Sequence, residues 1–438
     1  MIQKNEINEW YVSIFDDFER NLNGESKSPI HQLRKKAIND FSQLNFPTNK
    51  DEEWRFTNIS PLLKHKFNLA INAPYVDKEE VDRFRFNGMQ CSFMVFVNGF
   101  FSEELSNINS IKDKITIKSI STAIKENNIQ IQKHFNKYVD SSAQIFTALS
   151  TAYIMDGAFI YVPENIIIEE PIHILFLSSS KEDKILSHPR NLVITEKNSQ
   201  LLIIEHYAGL DNSTYFTNAV TEISVGENAV VHHTKIQEES KSSFHIARME
   251  TVQGRNSCFT SNMISLGGEI TRNDFNTRFN STGGESELNG LFLIDNSQLF
   301  DAHTLIDHAS PNCNSHELYR GILDGKSRGV FNGKVIVRRD AQKTNAFQEN
   351  NNIILSDEAL VDTKPQLEIF ADDVKCSHGA TVGQLDNEAL FYLKSRGIGE
   401  EKSRDILIHA FASDVVRRIK IDKIKDHIEN ILTEKFNN

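Results

Sequence analysis

Cysteine is scarce: Cys91, Cys258, Cys313 and Cys376 are the only four in 438 residues, and no two stand in a Cys-x-x-Cys pair. A disulfide framework and a four-thiolate zinc knuckle are thereby excluded, and a chain of this length buries enough core to need neither. Glycine and proline are also few, at 20 and 9, which rules out collagen-like and glycine-cradle-rich chains. Long apolar runs are missing; Phe93-Met-Val-Phe-Val97 is typical of the longest, against the roughly 20 residues that span a bilayer. The segment Met1 to Trp10 has neither the basic nor the apolar region of a signal peptide. The expectation is a cytoplasmic setting with no membrane partner. Positive charge is in deficit, 48 Lys and Arg against 60 Asp and Glu for a net −12, which argues against a dedicated nucleic-acid binder. Phosphate-loop, GxGxxG, HExxH and GxSxG signatures are all lacking.

What is abundant is Phe, 29 in all, and Asn. Length gives two to three domains, and periodicity divides the chain into three zones. Residues 1–150 read as helical, then mixed. Ile7, Trp10, Tyr11, Ile14, Phe15 and Phe18 recur at helical spacing. A strand at Phe93–Val97 closes on the turn pair Asn98-Gly99, and a helical stretch is expected from Ile129 to Leu149. Residues 151–383 carry short apolar or alternating runs bounded by Asn, Ser, Gly or Asp, with no helical spacing. Polar turns ending in a small residue recur at Asn198, Asn228, Asn256, Glu285, Lys326 and Glu358, at intervals of 30, 28, 29, 41 and 32. Such a period predicts a stacked β-solenoid with one insertion, an irregular all-β domain being the alternative. Asn suits solenoid corners because it tolerates left-handed backbone and stacks in ladders. Residues 384–438 are helical again, with Asp386 as an N-cap, Gly397 at a C-terminal cap and Glu400-Glu401 opening a longer helix.

Two clusters could carry chemistry. Asp301, His303, Asp307, His308, Cys313 and His316 crowd into sixteen residues, mixing hard and soft ligands without a standard metal spacing. Cys376 and His378, two apart on a strand, share a face. One thiol and one imidazole are half of a four-ligand iron or zinc site, so a second chain would have to complete it. His232 and His233 are adjacent in a strand and point to opposite faces.

The stretch Lys375-Cys-Ser-His-Gly-Ala-Thr-Val-Gly-Gln-Leu-Asp386, with Glu388-Ala-Leu-Phe-Tyr-Leu-Lys-Ser-Arg-Gly-Ile398 after it, resembles the C-terminal signature of the SufB/SufD family, scaffold subunits of the Suf iron–sulfur cluster assembly machinery. Ala341 to Gln348, Asn351 to Ser356 and Glu53-Trp-Arg-Phe-Thr57 match further family elements. The resemblance is to the SufD branch. Ser377-His378-Gly379-Ala380 replaces the Glu-His-Glu-Ala of SufB-like chains, and the segment Ser356 to Thr363 lacks their upstream cysteine.

The resemblance implies a mainly β fold: a right-handed parallel β-helix core, residues 151–383, between helical regions at 1–150 and 384–438. It implies a non-catalytic scaffold that pairs with a SufB-like sister through the β-helix. A SufC-like ABC-type ATPase would dock on the C-terminal helices through Leu390, Phe391, Leu407, Phe411 and Val415. His378 would sit at the nascent-cluster interface, with Cys376 either a second ligand or a small buried strand residue. No tightly bound cofactor is expected in the isolated chain beyond a transient iron–sulfur cluster at the partner interface; whether a flavin joins the complex stays open. An unpaired β-helix edge could also pair with a second copy. The competing reading is a β-helix polysaccharide lyase or hydrolase using Lys334, Arg338, Arg339 and Asp340.

Overall fold

A computed structural model describes residues 4–22, 28–108, 114–179 and 184–436. Met1–Gln3 of the segment weighed above as an export signal therefore lie outside the described residues. The N-terminal helical spacing becomes α1 (Lys4–Ser13), α2 (Phe15–Arg20) and α3 (Pro29–Gln43), followed by α4 (Lys78–Asp82), α5 (Ile120–Lys125), α6 (Ile129–His134) and α7 (Ile145–Ala152). Ile7 and Tyr11, one turn apart on α1, bury in a cluster with Ala37 and Phe41 of α3 and Ala148 and Leu149 of α7.

The helical stretch expected from Ile129 to Leu149 forms two helices, α6 and α7, with non-helical backbone between them. The reason is tertiary. Asn136 turns left-handed, at φ +57°, and the backbone N–H groups of Asn136 and Tyr138 both donate to the Glu222 carboxylate at 2.8 Å. Glu222 is in turn paired at 2.9 Å with Arg190, both side chains wholly buried.

The strands begin with β1 (Asn68–Leu69), β2 (Ser92–Val97), β3 (Phe100–Asn107) and β4 (Thr116–Ser119). β2 is the strand expected at Phe93–Val97. It turns through Asn98 and Gly99, at φ +51° and +86°, into antiparallel β3, as a two-residue hairpin loop with both φ positive does. Then come β5 (Ala158–Val162), β6 (Ile172–Ser178), β7 (Ile185–Ser187), β8 (Arg190–Thr195), β9 (Gln200–Gly209), β10 (Phe216–Val225), β11 (Val230–Glu238), β12 (Phe244–Gln253) and β13 (Cys258–Ser265). The series ends with β14 (Ile270–Phe279), β15 (Glu285–Ile294), β16 (Leu299–His308), β17 (Asn314–Leu323), β18 (Arg328–Val337), β19 (Thr344–Ile354), β20 (Leu360–Ile369) and β21 (Val374–Gly383).

From β8 onward consecutive strands fall alternately into two sheets. One runs β20-β18-β16-β14-β12-β10-β8-β5-β4, the other β21-β19-β17-β15-β13-β11-β9-β6-β2-β3. Apart from antiparallel β3 and β4 at one end, neighbours pair in parallel, and the long strands do so residue for residue. The result is a parallel β-solenoid of about seven turns. Inward-facing Leu201, Val231, Phe259, Leu288, Phe292 and Phe331 help fill the space between the sheets.

One corner of each coil from the β5–β6 turn to the β18–β19 turn is left-handed. Asn165, Asn198, Asn228, Asn256, Gly283, Asn312 and Lys343 all have positive φ. Side chains of successive asparagines bond from rung to rung: Asn198 Nδ2 donates to Asn165 Oδ1 at 2.8 Å, and Asn228 Nδ2 to Asn198 Oδ1 at 3.0 Å. This is the asparagine ladder expected from the sequence. Lys326 and Glu358, however, lie at the opposite corner, between β17 and β18 and between β19 and β20. The 41-residue interval is thus a change of corner, not an insertion.

The C-terminal region forms α8 (Asn387–Ser395), α9 (Glu400–Val416) and α10 (Asp422–Phe436). Asp386 caps α8, its carboxylate accepting from the Glu388 and Ala389 N–H groups at 2.8 and 3.2 Å. Gly397 is left-handed, and the N–H groups of Ile398 and Gly397 return to the Leu393 and Lys394 carbonyls, a Schellman end. Ile408, Ala412, Val415 and Val416 of α9, with Ile424, Ile428 and Leu432 of α10, bury on Ile204, Ile236, Ile264, Leu291, Leu318 and Ile322. Those partners line the outer face of the β9–β17 sheet.

Candidate functional site

The solenoid is capped at one end and open at the other. At the β5 end β4 adds an antiparallel strand; at the other, β20 and β21 close the sheet order, with no described strand on their outer edges. An unpaired edge offers free backbone donors and acceptors to another chain. Apolar side chains stand exposed around it: Leu360, Ile369, Phe370 and Val382.

Cys376 and His378 lie on β21, the last strand of its sheet, both on the inward-facing side as their spacing predicts. Their environments differ. Cys376 packs on the solenoid core, and burial pushes its thiol above the usual value, opposed only by a backbone hydrogen bond at Ala346. A thiol held protonated is a poor metal ligand. His378 is exposed, with its ring at the open end. Directly beneath it in register come Gln348 on β19 and Glu317 on β17. Both are buried, and Gln348 Nε2 donates to Glu317 Oε2. Burial pushes the Glu317 carboxyl up to about 7. Asn350 and Asn352 share this layer, joined by a 2.8 Å hydrogen bond. The amide layer escaped the sequence reading, although alternation through Gln348-Glu-Asn-Asn-Asn352 turns the first, third and fifth residues inward.

The second candidate cluster is dispersed. Asp301, His303 and Asp307 point outward from β16, whereas His308 points inward and bonds Ser315 at 2.9 Å. Cys313 is buried at a corner, and His316 faces outward from the other sheet, beside Phe347. Among the described residues no three His, Cys, Asp or Glu side chains converge as a metal site. His303 forms part of the floor of a groove of about 920 Å³ between residues 44–54, α7 and the outer sheet face. There burial would lower it, but the Asp301 and Glu53 carboxylates raise it above the usual histidine value. His232 and His233 face opposite ways as expected, His233 inward against Ser261 at 2.9 Å. Two residues of the lyase reading are engaged: Lys334 pairs with Glu368 at 2.6 Å, and Arg338 grips Asp307 through two bonds of 2.7 and 2.8 Å.

The five expected docking residues divide. Val415 is wholly buried against the chain's own sheet. Leu407 and Phe411 are half-buried on the same cluster, with Arg320 over the Phe411 ring at 5.0 Å. Much of the α9 apolar stripe therefore packs on the chain's own sheet, and Val415 is covered there in the free chain. α8 is different. None of its side chains is buried; Leu390 is half-exposed, Phe391 is 72% exposed and its neighbour Tyr392 56%.

These features define the class: a parallel β-solenoid with one open end, a lone imidazole on its last strand and an uncovered aromatic helix alongside. Two family models match, "SufBD protein N-terminal region" over residues 5–174 and "SUF system FeS cluster assembly, SufBD core domain" over residues 176–411. An iron–sulfur cluster assembly SufBD family protein of Synechocystis is 34% identical over 94% of this chain and 92% of its own length. The iron–sulfur cluster assembly protein SufD of Escherichia coli is 29% identical over 92% of both chains. Protein ABCI7, chloroplastic, of Arabidopsis thaliana is 30% identical over 92% of this chain and 86% of its own. The chain belongs to the SufBD family of iron–sulfur cluster assembly proteins. No described helix is long and apolar enough to cross a membrane.

Proposed function

We propose that this chain is a non-catalytic scaffold on which an iron–sulfur cluster is built at the open end of the solenoid. There it pairs with a SufB-like sister subunit through the edges of β20 and β21. The observation that carries the reading is His378: an exposed imidazole on the outermost strand of its sheet, with no metal-holding group of side chains around it among the described residues. A half-site gains meaning only when a second chain supplies the rest, and an imidazole among thiolates leaves a cluster easier to hand on. The cluster is cargo here, not a resident cofactor. Cys376, inward and held as a thiol, serves packing in the free chain.

A SufC-like ATPase docks on the C-terminal helices. Phe391 and Tyr392 of α8 are the anchor, since exposed aromatic pairs are the side chains that interfaces bury. Co-expression followed by anaerobic reconstitution tests the reading. The sister and the ATPase should co-purify with this chain, and His378→Ala should lower the iron–sulfur absorption of the complex. Equal absorption with and without the imidazole would remove His378 from the site.

A further inference from the structure

An exposed imidazole makes a well-defined ligand only if something fixes which ring nitrogen carries the proton and which way the ring faces. The layer beneath His378 contains such a group. Gln348 is 3% exposed and its Nε2 is committed to Glu317, which leaves Oε1 as the other branch of the same planar amide. That oxygen is buried and has no hydrogen-bond partner. The amide cannot swing away freely, because it fills the space left by a missing side chain on the opposite sheet. A Cβ on Gly333 would lie 2.1 Å from Gln348 Nε2 and 2.7 Å from its Cδ. Side chains one rung apart bond readily in this solenoid: Asn345 Nδ2 reaches Asn314 Oδ1 at 2.9 Å, and Asn228 reaches Asn198 at 3.0 Å. His378 is the residue one rung above Gln348.

We infer that Gln348, anchored by Glu317 and seated against Gly333, is the positioning residue for His378: its Oε1, unpaired in this structure, is the acceptor to which the exposed imidazole turns one ring N–H, leaving the other, unprotonated nitrogen outward. A buried acceptor left unpaired is costly, and a neutral imidazole has one donor and one acceptor to distribute. Meeting the first with the donor leaves the acceptor nitrogen for a metal or a partner group. The inference rests on the reading of His378 as an interface ligand, and deepens it by naming what orients the ring.

The test uses the full chain without iron. Histidine labelled with ¹⁵N is incorporated, and the His378 ring signal is identified by its absence in His378→Gln. The expected result is one slowly exchanging ring N–H for His378 whose exchange with water is about tenfold faster in Gln348→Leu, the factor set by an ordinary hydrogen bond. Glu317→Gln, which keeps an acceptor for Nε2, should leave it protected. Gly333→Ala, which displaces the amide without removing it, should mimic Gln348→Leu and serves if that variant does not fold. A freely exchanging His378 ring in the native chain, or unchanged exchange in both Gln348→Leu and Gly333→Ala, would overturn the inference. Because iron is absent, the two ideas separate. A protected ring N–H with an iron–sulfur yield indifferent to His378→Ala upholds the positioning and removes the ligand reading. A yield that needs His378, with a freely exchanging ring, removes the positioning alone.

Discussion

Replacing Phe391 and Val415 one at a time separates a docking surface from a core. Val415 is wholly buried between α9 and the sheet. Val415→Ala removes two methyl groups, about 1.6 kcal/mol of transfer energy at ~0.8 kcal/mol each, and the cavity left behind brings the loss to about 2–3 kcal/mol. For a chain of this length that lowers Tm by about 2–3 °C. Phe391 is 72% exposed, so Phe391→Ala should change folding stability by no more than about 0.5 kcal/mol. If its ring is an anchor for the ATPase, removing it costs about 2–4 kcal/mol of association, a Kd roughly 30- to 1,000-fold weaker. Thermal melting of each variant and titration calorimetry against the purified ATPase read both quantities. Loss of affinity in Val415→Ala at unchanged Tm, with full affinity in Phe391→Ala, would refute the assignment of docking to α8.

Three further perturbations address the frame. Glu317 is carried from 4.5 up to about 7 by burial, so its unfolded form ionises first as pH rises. The neutral carboxyl favours the fold fully below about pH 4.5, and that advantage is lost as pH climbs to about 7. Glu317→Gln should match the native chain in urea unfolding near pH 4.5 and exceed it by about 3 kcal/mol at pH 8; equal stability at both pH values would contradict this. Asn228 sits at φ +54° in the corner ladder; Asn228→Ala should cost about 1–2 kcal/mol by thermal unfolding while Asn228→Gly costs much less. Glu222→Gln strands the buried Arg190 charge, which should cost about 3–5 kcal/mol and speed amide hydrogen exchange at Asn136 and Tyr138 (retained protection there would count against the pairing).

The legible parts of the fold were those written in local chemistry. Asn198, Asn228 and Asn256 each adopt the left-handed corner that their side chain tolerates, and Asp386 and Gly397 end their helix as their residue types require. The illegible parts depend on distant partners. The break after α6 exists because Glu222, 86 residues away, takes the Asn136 N–H. An apolar α9 announces that it is covered but not by what, and here the answer is the outer face of its own sheet. Inward positions of the solenoid are also not uniformly apolar: Glu205, His233 and Lys235 are buried together, Glu205 held at about 2 against the opposing effect of burial by His233 and Lys235. Polar residues facing inward blur the alternation that marks a strand's inner side. The same effect hid the Gln348 layer, while the crowding of Asp301 to His316 along the sequence suggested a cluster that strand alternation and a corner pull apart.

The central claim is that His378 binds iron at the junction of two chains. The direct measurement is pulsed electron paramagnetic resonance on the anaerobically reconstituted, reduced complex, with ¹⁵N-histidine supplied only in this chain. A ¹⁵N hyperfine coupling of a directly bonded imidazole, absent in His378→Gln, is the predicted result. A paramagnetic cluster formed in full yield without that coupling would contradict the account.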